Sequence, residues 1–115
     1  MADLKIAEAM SIPEEAVTAN GAEHVTIRWL VSNADGANNF HLRLFTVAPE
    51  GRTPLHTHDW EHEVYILDGA GTLVYEGREH AFSKGFVIFV PPDKEHSFIN
   101  TRAEPLTFLC IVPAR

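Results

Sequence analysis

Residues 51–69 read GRTPLHTHDWEHEVYILDG, and this stretch carries three of the seven histidines of the chain. On an extended strand, residues two positions apart project to the same face, so His56 and His58 point the same way. His62 follows four residues after His58, across a short turn, and can face back from the start of the next strand. The spacing therefore predicts a cluster in which the side chains of His56 and His58 point the same way and that of His62 approaches them from the next strand.

A fourth histidine, His96, follows the turn formed by residues 91–93 at the start of another short apolar run. A transition-metal ion is held by neutral imidazole nitrogens that converge from different strands on one centre. The candidate metal ligands are therefore His56, His58, His62 and His96. The remaining histidines suit ordinary surface or capping positions and receive no role: His24, His41 and His80.

Turn signals such as Asn20-Gly21 and Asp68-Gly69 recur along the chain, and short β-branched and aromatic runs lie between them. Strands are predicted over residues 25–31, 40–47, 63–67, 72–75, 80–82, 86–90, 97–99 and 106–112, with a further short strand around residues 55–58. Short strands at this regular spacing are typical of an all-β sandwich or barrel. Glu76-Gly77 predicts a tight hairpin.

The first 20 residues are less regular. Residues 4–10 fit either a short helix or an edge strand. Pro13, followed by Glu14 and Glu15, fits the start of one helical turn, because proline suits a first helical position. Residues 1–24 are accordingly interpreted as an N-terminal arm, and residues 25–115 as the β-barrel domain.

Composition narrows the function. The 115 residues suffice for one domain with its own core. A net charge of −7 disfavours a nucleic-acid partner, since phosphate binding depends on clustered lysine and arginine. Cys110 is the only cysteine, which excludes an intramolecular disulfide and cysteine-rich zinc sites. Neither a membrane span nor a signal peptide is evident, so we expect a cytoplasmic domain without a membrane partner.

The joint pattern resembles the cupin family. Its first motif, Gly-x5-His-x-His-x3-4-Glu-x6-Gly, is matched by residues 51–69, although Gly51 lies one residue closer to His56 than the motif asks. Its second motif, Gly-x5-Pro-x-Gly-x2-His-x3-Asn, is matched from Gly85 to Asn100, with Asp93 in place of the central glycine. Aspartate tolerates turn geometry, so this loop should survive. The resemblance covers about residues 25–113 and implies a cupin-type double-stranded β-helix, a jelly-roll barrel.

The resemblance also implies a ligand set. The first motif usually carries glutamate with three or four residues between it and the second histidine and six between it and the last glycine. His62 occupies this position, with three residues between it and His58 and six between it and Gly69. Glu63 fits only if the first spacer is four residues and the second is five. An inward His62 also turns Val64 and Ile66 inward, which suits a barrel interior. The sequence is thus similar to small single-domain cupins with a four-histidine site. The alternative set keeps three histidines and replaces His62 by Glu63.

One divalent transition metal per chain is the expected cofactor. Imidazole ligands favour Fe, Ni, Cu or Zn, whereas the resemblance favours Mn or Fe. Four neutral imidazoles leave the charge of the ion uncompensated, which makes it a stronger Lewis acid. In an octahedral site two positions stay open.

Strand periodicity suggests a substrate pocket. Arg43 and Phe45 share one strand face, and Phe108 and Cys110 share another. With those faces inward, the predicted pocket residues are Arg43, Phe45, Ile66, Phe108 and Cys110. Arg43 is either a clamp for a substrate carboxylate or a salt-bridged structural residue. Cys110 is interpreted as a small buried apolar filler.

Three functions fit these features. The first is a metal-dependent oxidoreductase of dioxygenase type that acts on a small molecule in the barrel pocket. The second is a non-redox isomerase or lyase, which needs a general base that the sequence does not reveal. The third is a small-ligand binding module. The resemblance further implies a homodimer, in which the N-terminal arm pairs or swaps across a two-fold axis.

Overall fold

The structure is a computed structural model that describes residues 2–114. It is built almost entirely of strands, which confirms the all-β prediction. The strands are β1 (Glu15–Ala16), β2 (Glu23–Val31), β3 (Phe40–Arg52), β4 (His62–Asp68), β5 (Ala70–Tyr75), β6 (Arg78–Ser83), β7 (Val87–Val90), β8 (His96–Ile99) and β9 (Leu106–Pro113). Two short 3-10 turns, Ala9–Ser11 and Asn33–Asp35, accompany them.

The strands form one curled antiparallel sheet in the order β6-β5-β8-β3-β9-β4-β7, and β2 with β1 extends it from β3. The long strand β3 organises the curl. It pairs with β2 and β9 along its length and reaches β8 at its end, where Arg52 faces Ile99. This arrangement is the jelly-roll expected from the resemblance.

Side-chain alternation fills the interior. Along β4, His62, Val64 and Ile66 are buried while the residues between them are exposed. Along β9, every second residue from Leu106 to Val112 is buried. The period of two follows from strand geometry, so one face of each strand supplies the core and the other meets solvent.

Two turns take the backbone conformations that the sequence predicts. Glu76 and Gly77 join β5 to β6 with positive φ angles of 47° and 77°, as a two-residue type I′ hairpin requires. Asp93 has a φ of 65°, the left-handed conformation that glycine would adopt most easily. Asp93 therefore replaces the motif glycine without changing the path of the loop.

Other elements differ from the prediction. Strand β3 continues five residues past Val47, and the strand expected around residues 55–58 is reduced to a single bridge between His56 and His96. Of residues 4–10, positions 4–8 form neither a helix nor a strand, and the 3-10 turn begins at Ala9. Within residues 2–114, no helix is long and apolar enough to cross a membrane.

The helical turn predicted from Pro13 is wrong. Glu15–Ala16 instead pairs with the edge of β2, where Glu15 lies opposite Ile27. The edge of β2 leaves backbone groups free to pair, and pairing satisfies them better than an isolated helical turn would. The N-terminal arm is thus attached to the sheet at this point.

Candidate metal centre

The backbone itself brings two of the predicted ligands together. His56 lies in the loop after β3, and His96 begins β8. The His56 amide donates to the His96 carbonyl at 3.3 Å, and the His96 amide donates to the His56 carbonyl at 3.1 Å. This pair of bonds holds both side chains at the same end of the barrel.

The other two histidines meet them there. His56, His58 and His96 each offer a ring nitrogen, and these nitrogens all lie within 4.8 Å of one another. His62 approaches from β4, and its Nε2 lies 2.7 Å from Nε2 of His58. Adjacent nitrogens bound about 2.1 Å from one octahedral ion are about 3 Å apart, so the contact is close to a ligand spacing. Glu63, the alternative ligand, is exposed on the opposite face of β4.

Hydrogen bonds select the ring nitrogen that faces the cluster. Nδ1 of His58 donates to the Trp60 carbonyl at 3.1 Å, and Nδ1 of His96 donates to the Lys94 carbonyl at 2.8 Å. A carbonyl oxygen only accepts, so Nδ1 carries the proton in both rings. Nε2 of each neutral ring is then unprotonated, which is the form that binds a metal.

Trp60 fixes the plane of the His58 ring. The two rings stack with centroids 4.2 Å apart and an interplanar angle of 4°. Trp60 is itself packed against the hydrophobic core. The packing of Trp60 therefore anchors the segment between His58 and His62, and the stacking restricts rotation of the His58 ring.

Cys110 and Arg43 lie behind His62. Nδ1 of His62 is 3.0 Å from Cys110 Sγ, and Arg43 Nη2 donates to the same sulfur at 3.0 Å. Arg43 Nη2 also lies 3.3 Å from Nδ1 of His62. When Nδ1 donates to the sulfur, Nε2 of His62 is unprotonated and free toward the cluster.

Burial and neighbouring charges lower the pKa of three of the clustered histidines, His56, His58 and His62. Burial, and then the charge of Arg43, lower the pKa of His62 from 6.5 to about 2. Burial, and then the neighbouring His96 and His58, lower the pKa of His56 to about 4. Burial also lowers the pKa of His58. Metal binding requires deprotonated imidazole, and the fold favours that form well below neutral pH.

A cavity of about 320 Å³ opens onto this cluster. Four of the five predicted pocket residues line it: Arg43, Phe45, Phe108 and Cys110. Ile66 does not, and that part of the prediction is wrong. It faces inward as expected, but it is fully buried in the core, further along β4 than the cavity extends.

Arg43 supplies the positive charge of the cavity. Its guanidinium lies 4.9 Å from the centroid of the Phe45 ring and 5.6 Å from that of Trp29. Among residues 2–114, no carboxylate lies within ion-pair distance of it, which does not support the salt-bridged alternative. Its Nε is buried without a hydrogen-bond partner. No carboxylate of the described residues therefore neutralises the charge of this guanidinium beside the cavity.

Sequence reasoning missed part of the cavity wall. Strand β2 contributes Ile27 and Trp29, and the N-terminal arm contributes Glu15, Ala16, Val17 and Ala19. The alternation of Val25, Ile27 and Trp29 could have indicated the first two, because all three share a strand face. The arm gave no usable signal, since β1 is only two residues long.

Comparisons with known proteins agree with the fold. The family described as "Cupin domain" matches residues 43–112. The polyketide cyclase RemF from Streptomyces resistomycificus superposes with a TM-score of 0.93 and 36% identity, over 98% of this chain and 81% of RemF. A predicted oxalate decarboxylase from Thermotoga maritima superposes with a TM-score of 0.84 and 25% identity, over 96% of this chain and 100% of that one.

Two curated relatives add sequence similarity. An uncharacterised protein of Methanocaldococcus jannaschii is 35% identical over 66 residues, which is 56% of this chain and 53% of that protein. An auxin-binding protein of Nicotiana tabacum is 32% identical over 90 residues, which is 78% of this chain and 44% of that protein. The chain thus spans about half the length of these curated relatives. With the jelly-roll, both histidine motifs and the family match over most of its strands, the chain belongs to the cupin family.

Proposed function

We propose that this chain is a metal-dependent cyclase that closes a ring in a poly-β-carbonyl substrate by intramolecular aldol condensation. One observation carries the proposal: His56, His62 and His96 line the same cavity as the uncompensated Arg43 and the aromatic rings of the barrel. A metal held there would face a pocket suited to a flat, electron-rich, anionic molecule. The similarity to RemF across 98% of the chain supports the same reaction class.

The donor set fits one divalent transition metal. We propose His56, His58, His62 and His96 as its ligands, each through an unprotonated ring nitrogen. The hydrogen bonds of His58 and His96 to the Trp60 and Lys94 carbonyls support this choice, because each leaves Nε2 unprotonated. The contact of His62 Nδ1 with Cys110 Sγ is compatible with the same form of His62. Partners of this kind orient metal-binding histidines and set their tautomer. Mn or Fe remains the metal predicted from the resemblance.

An ion bound by these nitrogens supplies a Lewis acid that polarises a substrate carbonyl. Arg43 holds the oxygen of an enolate or carboxylate through its free N–H groups, as guanidinium binds planar oxyanions. Phe45 and Phe108, stacked with centroids 5.2 Å apart, form an apolar wall for a conjugated chain. The wall excludes water and favours the folded conformation that ring closure needs.

A dioxygenase reaction is the second candidate. It is favoured by the histidine donor set, because a redox-active metal held by His56, His58, His62 and His96 would supply the chemistry for reaction with dioxygen. An Arg43 that binds an enolate would serve this reaction equally well. The two candidates differ in their products: the cyclase releases one water, whereas the dioxygenase adds two oxygen atoms.

Product mass therefore tests the proposal. Protein loaded separately with Mn, Fe and Zn would be incubated with a synthetic tetraketide thioester while oxygen uptake is recorded. We expect a cyclised product that has lost one water, formed without oxygen consumption and absent with His96→Ala. His80→Ala, at an exposed histidine of β6, is the matched control.

Each other outcome overturns the cyclase proposal in favour of a stated function. Incorporation of two oxygen atoms identifies the dioxygenase. A product of unchanged mass identifies an isomerase. Binding of the thioester without any turnover identifies a small-ligand binding module.

A further inference from the structure

The N-terminal arm brings a carboxylate to the cavity. Among the residues that line it in the described chain, Glu15 of β1 is the only acidic one. Its carboxylate makes no hydrogen bond or ion pair within residues 2–114. An unpaired carboxylate that lines the same cavity as the clustered histidines is free to accept a proton.

The register of β1 explains why Glu15 faces the cavity. Glu15 lies opposite Ile27 in the antiparallel pair, and side chains that face each other in such a pair project to the same side of the sheet. Ile27 is buried and lines the cavity. The side chain of Glu15 therefore projects to the cavity side of the sheet, where it lines the cavity and stays exposed to solvent.

The neighbouring residue faces the other way and fastens the strand. Glu14 accepts a hydrogen bond from Thr26 Oγ1 at 2.9 Å and lies 3.7 Å from Arg28 Nη2. Arg28 also donates to the Ile12 carbonyl. After β1, the Val17 amide donates to the Val25 carbonyl at 2.9 Å, and Val17 packs against the core. The segment that carries Glu15 is thus held on both sides.

We propose that Glu15 is the general base of the reaction, an inference that rests on the proposed cyclase function. A carboxylate oxygen of Glu15 takes a proton from a carbon between two substrate carbonyls, and the C–H electron pair becomes the enolate held by Arg43. The enolate carbon then bonds to a second carbonyl carbon, whose π electrons move to its oxygen. That oxygen takes the proton back from Glu15, and dehydration follows without any oxidant or reductant.

Other residues near the cavity are unsuited to this role. In the proposed function the clustered histidines bind the metal, so their unprotonated nitrogens cannot also take a proton from the substrate. Burial raises the pKa of the Cys110 thiol, which keeps it protonated at neutral pH, and its sulfur already contacts Arg43 and His62. Glu63 lies on the outer face of β4. This leaves Glu15 as the proton acceptor.

Glu15→Gln tests the inference, because it keeps the shape of the side chain and removes its basicity. We expect kcat for cyclisation to fall about 10²- to 10⁴-fold, the usual contribution of a general base, with KM and bound metal little changed. Added acetate should restore part of the activity of Glu15→Ala, an effect that a purely structural residue would not produce. Glu23→Gln, on an exposed carboxylate that pairs with Arg52 on the rim of β2, is the control. Wild-type kcat in Glu15→Gln would overturn the inference.

A second readout separates this inference from the proposed function. Exchange of the acidic C–H of a substituted β-diketone in D₂O, followed by NMR, requires a base but no ring closure. If hydrogen–deuterium exchange depends on Glu15 but no cyclised product forms, the cyclase proposal is overturned and the assignment of Glu15 as general base is retained. If the metal-loaded wild-type protein binds the diketone but does not accelerate this exchange, the assignment of Glu15 as general base is overturned.

Discussion

Cys110 has more than the packing role predicted for it. Its side chain is almost fully buried, as a small apolar filler should be, yet the sulfur contacts both His62 and Arg43. The thiol links the cation of the cavity to a candidate metal ligand. When His62 Nδ1 donates to this sulfur, Nε2 of His62 is unprotonated and able to bind a metal.

Removing that link should weaken metal binding. We expect Cys110→Ala to lower metal affinity about 10- to 100-fold, the usual effect of losing a partner that orients a ligating histidine. Competition against a chromophoric chelator measures it. Cys110→Ser, which keeps a hydrogen-bonding atom at this position, should stay closer to wild type. Equal affinity in all three proteins would contradict the role assigned to the sulfur.

Single residues differ in how far the sequence predicts them. The inward face of His62 follows from strand parity and the turn at Asp93 from backbone preference, both local properties. Whether Arg43 has a carboxylate partner depends on which residues the fold brings near it. The spacing of residues in the sequence does not predict such contacts. Strand alternation predicts correctly that Ile66 faces the barrel interior. It does not predict how far along the barrel the cavity extends, because that depends on the packing of the core.

At the level of elements, strands with a clear alternation of apolar and polar residues were predictable. The end of β3 was not, because residues 48–52 read APEGR, a composition typical of turns. There the strand continues because β2 and β8 supply pairing partners for Arg52. Strand β1 was also missed, since two residues show no periodicity and its pairing comes from the edge of β2.

The loop after β3, with β4 and β8, carries an acid-sensitive cluster. In the unfolded chain the histidines take up protons near pH 6.5, whereas folded His56 does so only near pH 4. Between these values the unfolded state binds more protons, so the free energy of unfolding of the metal-free protein should fall as pH falls from 6.5 to 4. The low pKa of His62 extends the loss to lower pH.

Urea unfolding of the metal-free protein between pH 7.5 and pH 4 checks this expectation. His56→Gln should show a shallower dependence on pH, because one of the displaced pKa values is removed. His80→Gln, at an exposed position, should keep the wild-type dependence. A free energy of unfolding that stays constant across this range would argue against burial of neutral histidines.

For the whole molecule, bound metal should stabilise the barrel. The candidate ligands lie on the loop after β3, on β4 and on β8, so an ion would link segments that are far apart in sequence. At an excess of about 100 Kd, binding contributes about 2.7 kcal/mol. For a domain of this size we expect chelation to lower Tm by about 10 °C. Differential scanning fluorimetry with and without chelator measures the shift; an unchanged Tm for protein shown to contain metal would contradict it.

The homodimer implied by the resemblance stays a prediction. Its arm residues Leu4 and Ile6 are each 90% exposed. The outer face of β4, β7 and β9 also exposes Tyr65, Val87 and Phe89. Apolar side chains left in solvent on both surfaces are consistent with a second copy of the chain.

The reciprocal backbone bonds between His56 and His96 have a consequence for metal choice. They form without an ion, so the positions of these two histidines do not depend on a bound metal. Such a site does not fold around one preferred element, and imidazole nitrogens accept several first-row metals. Occupancy then follows the relative abundance of metals in the host during synthesis. We therefore expect the same polypeptide to be recovered with different ions from different growth media.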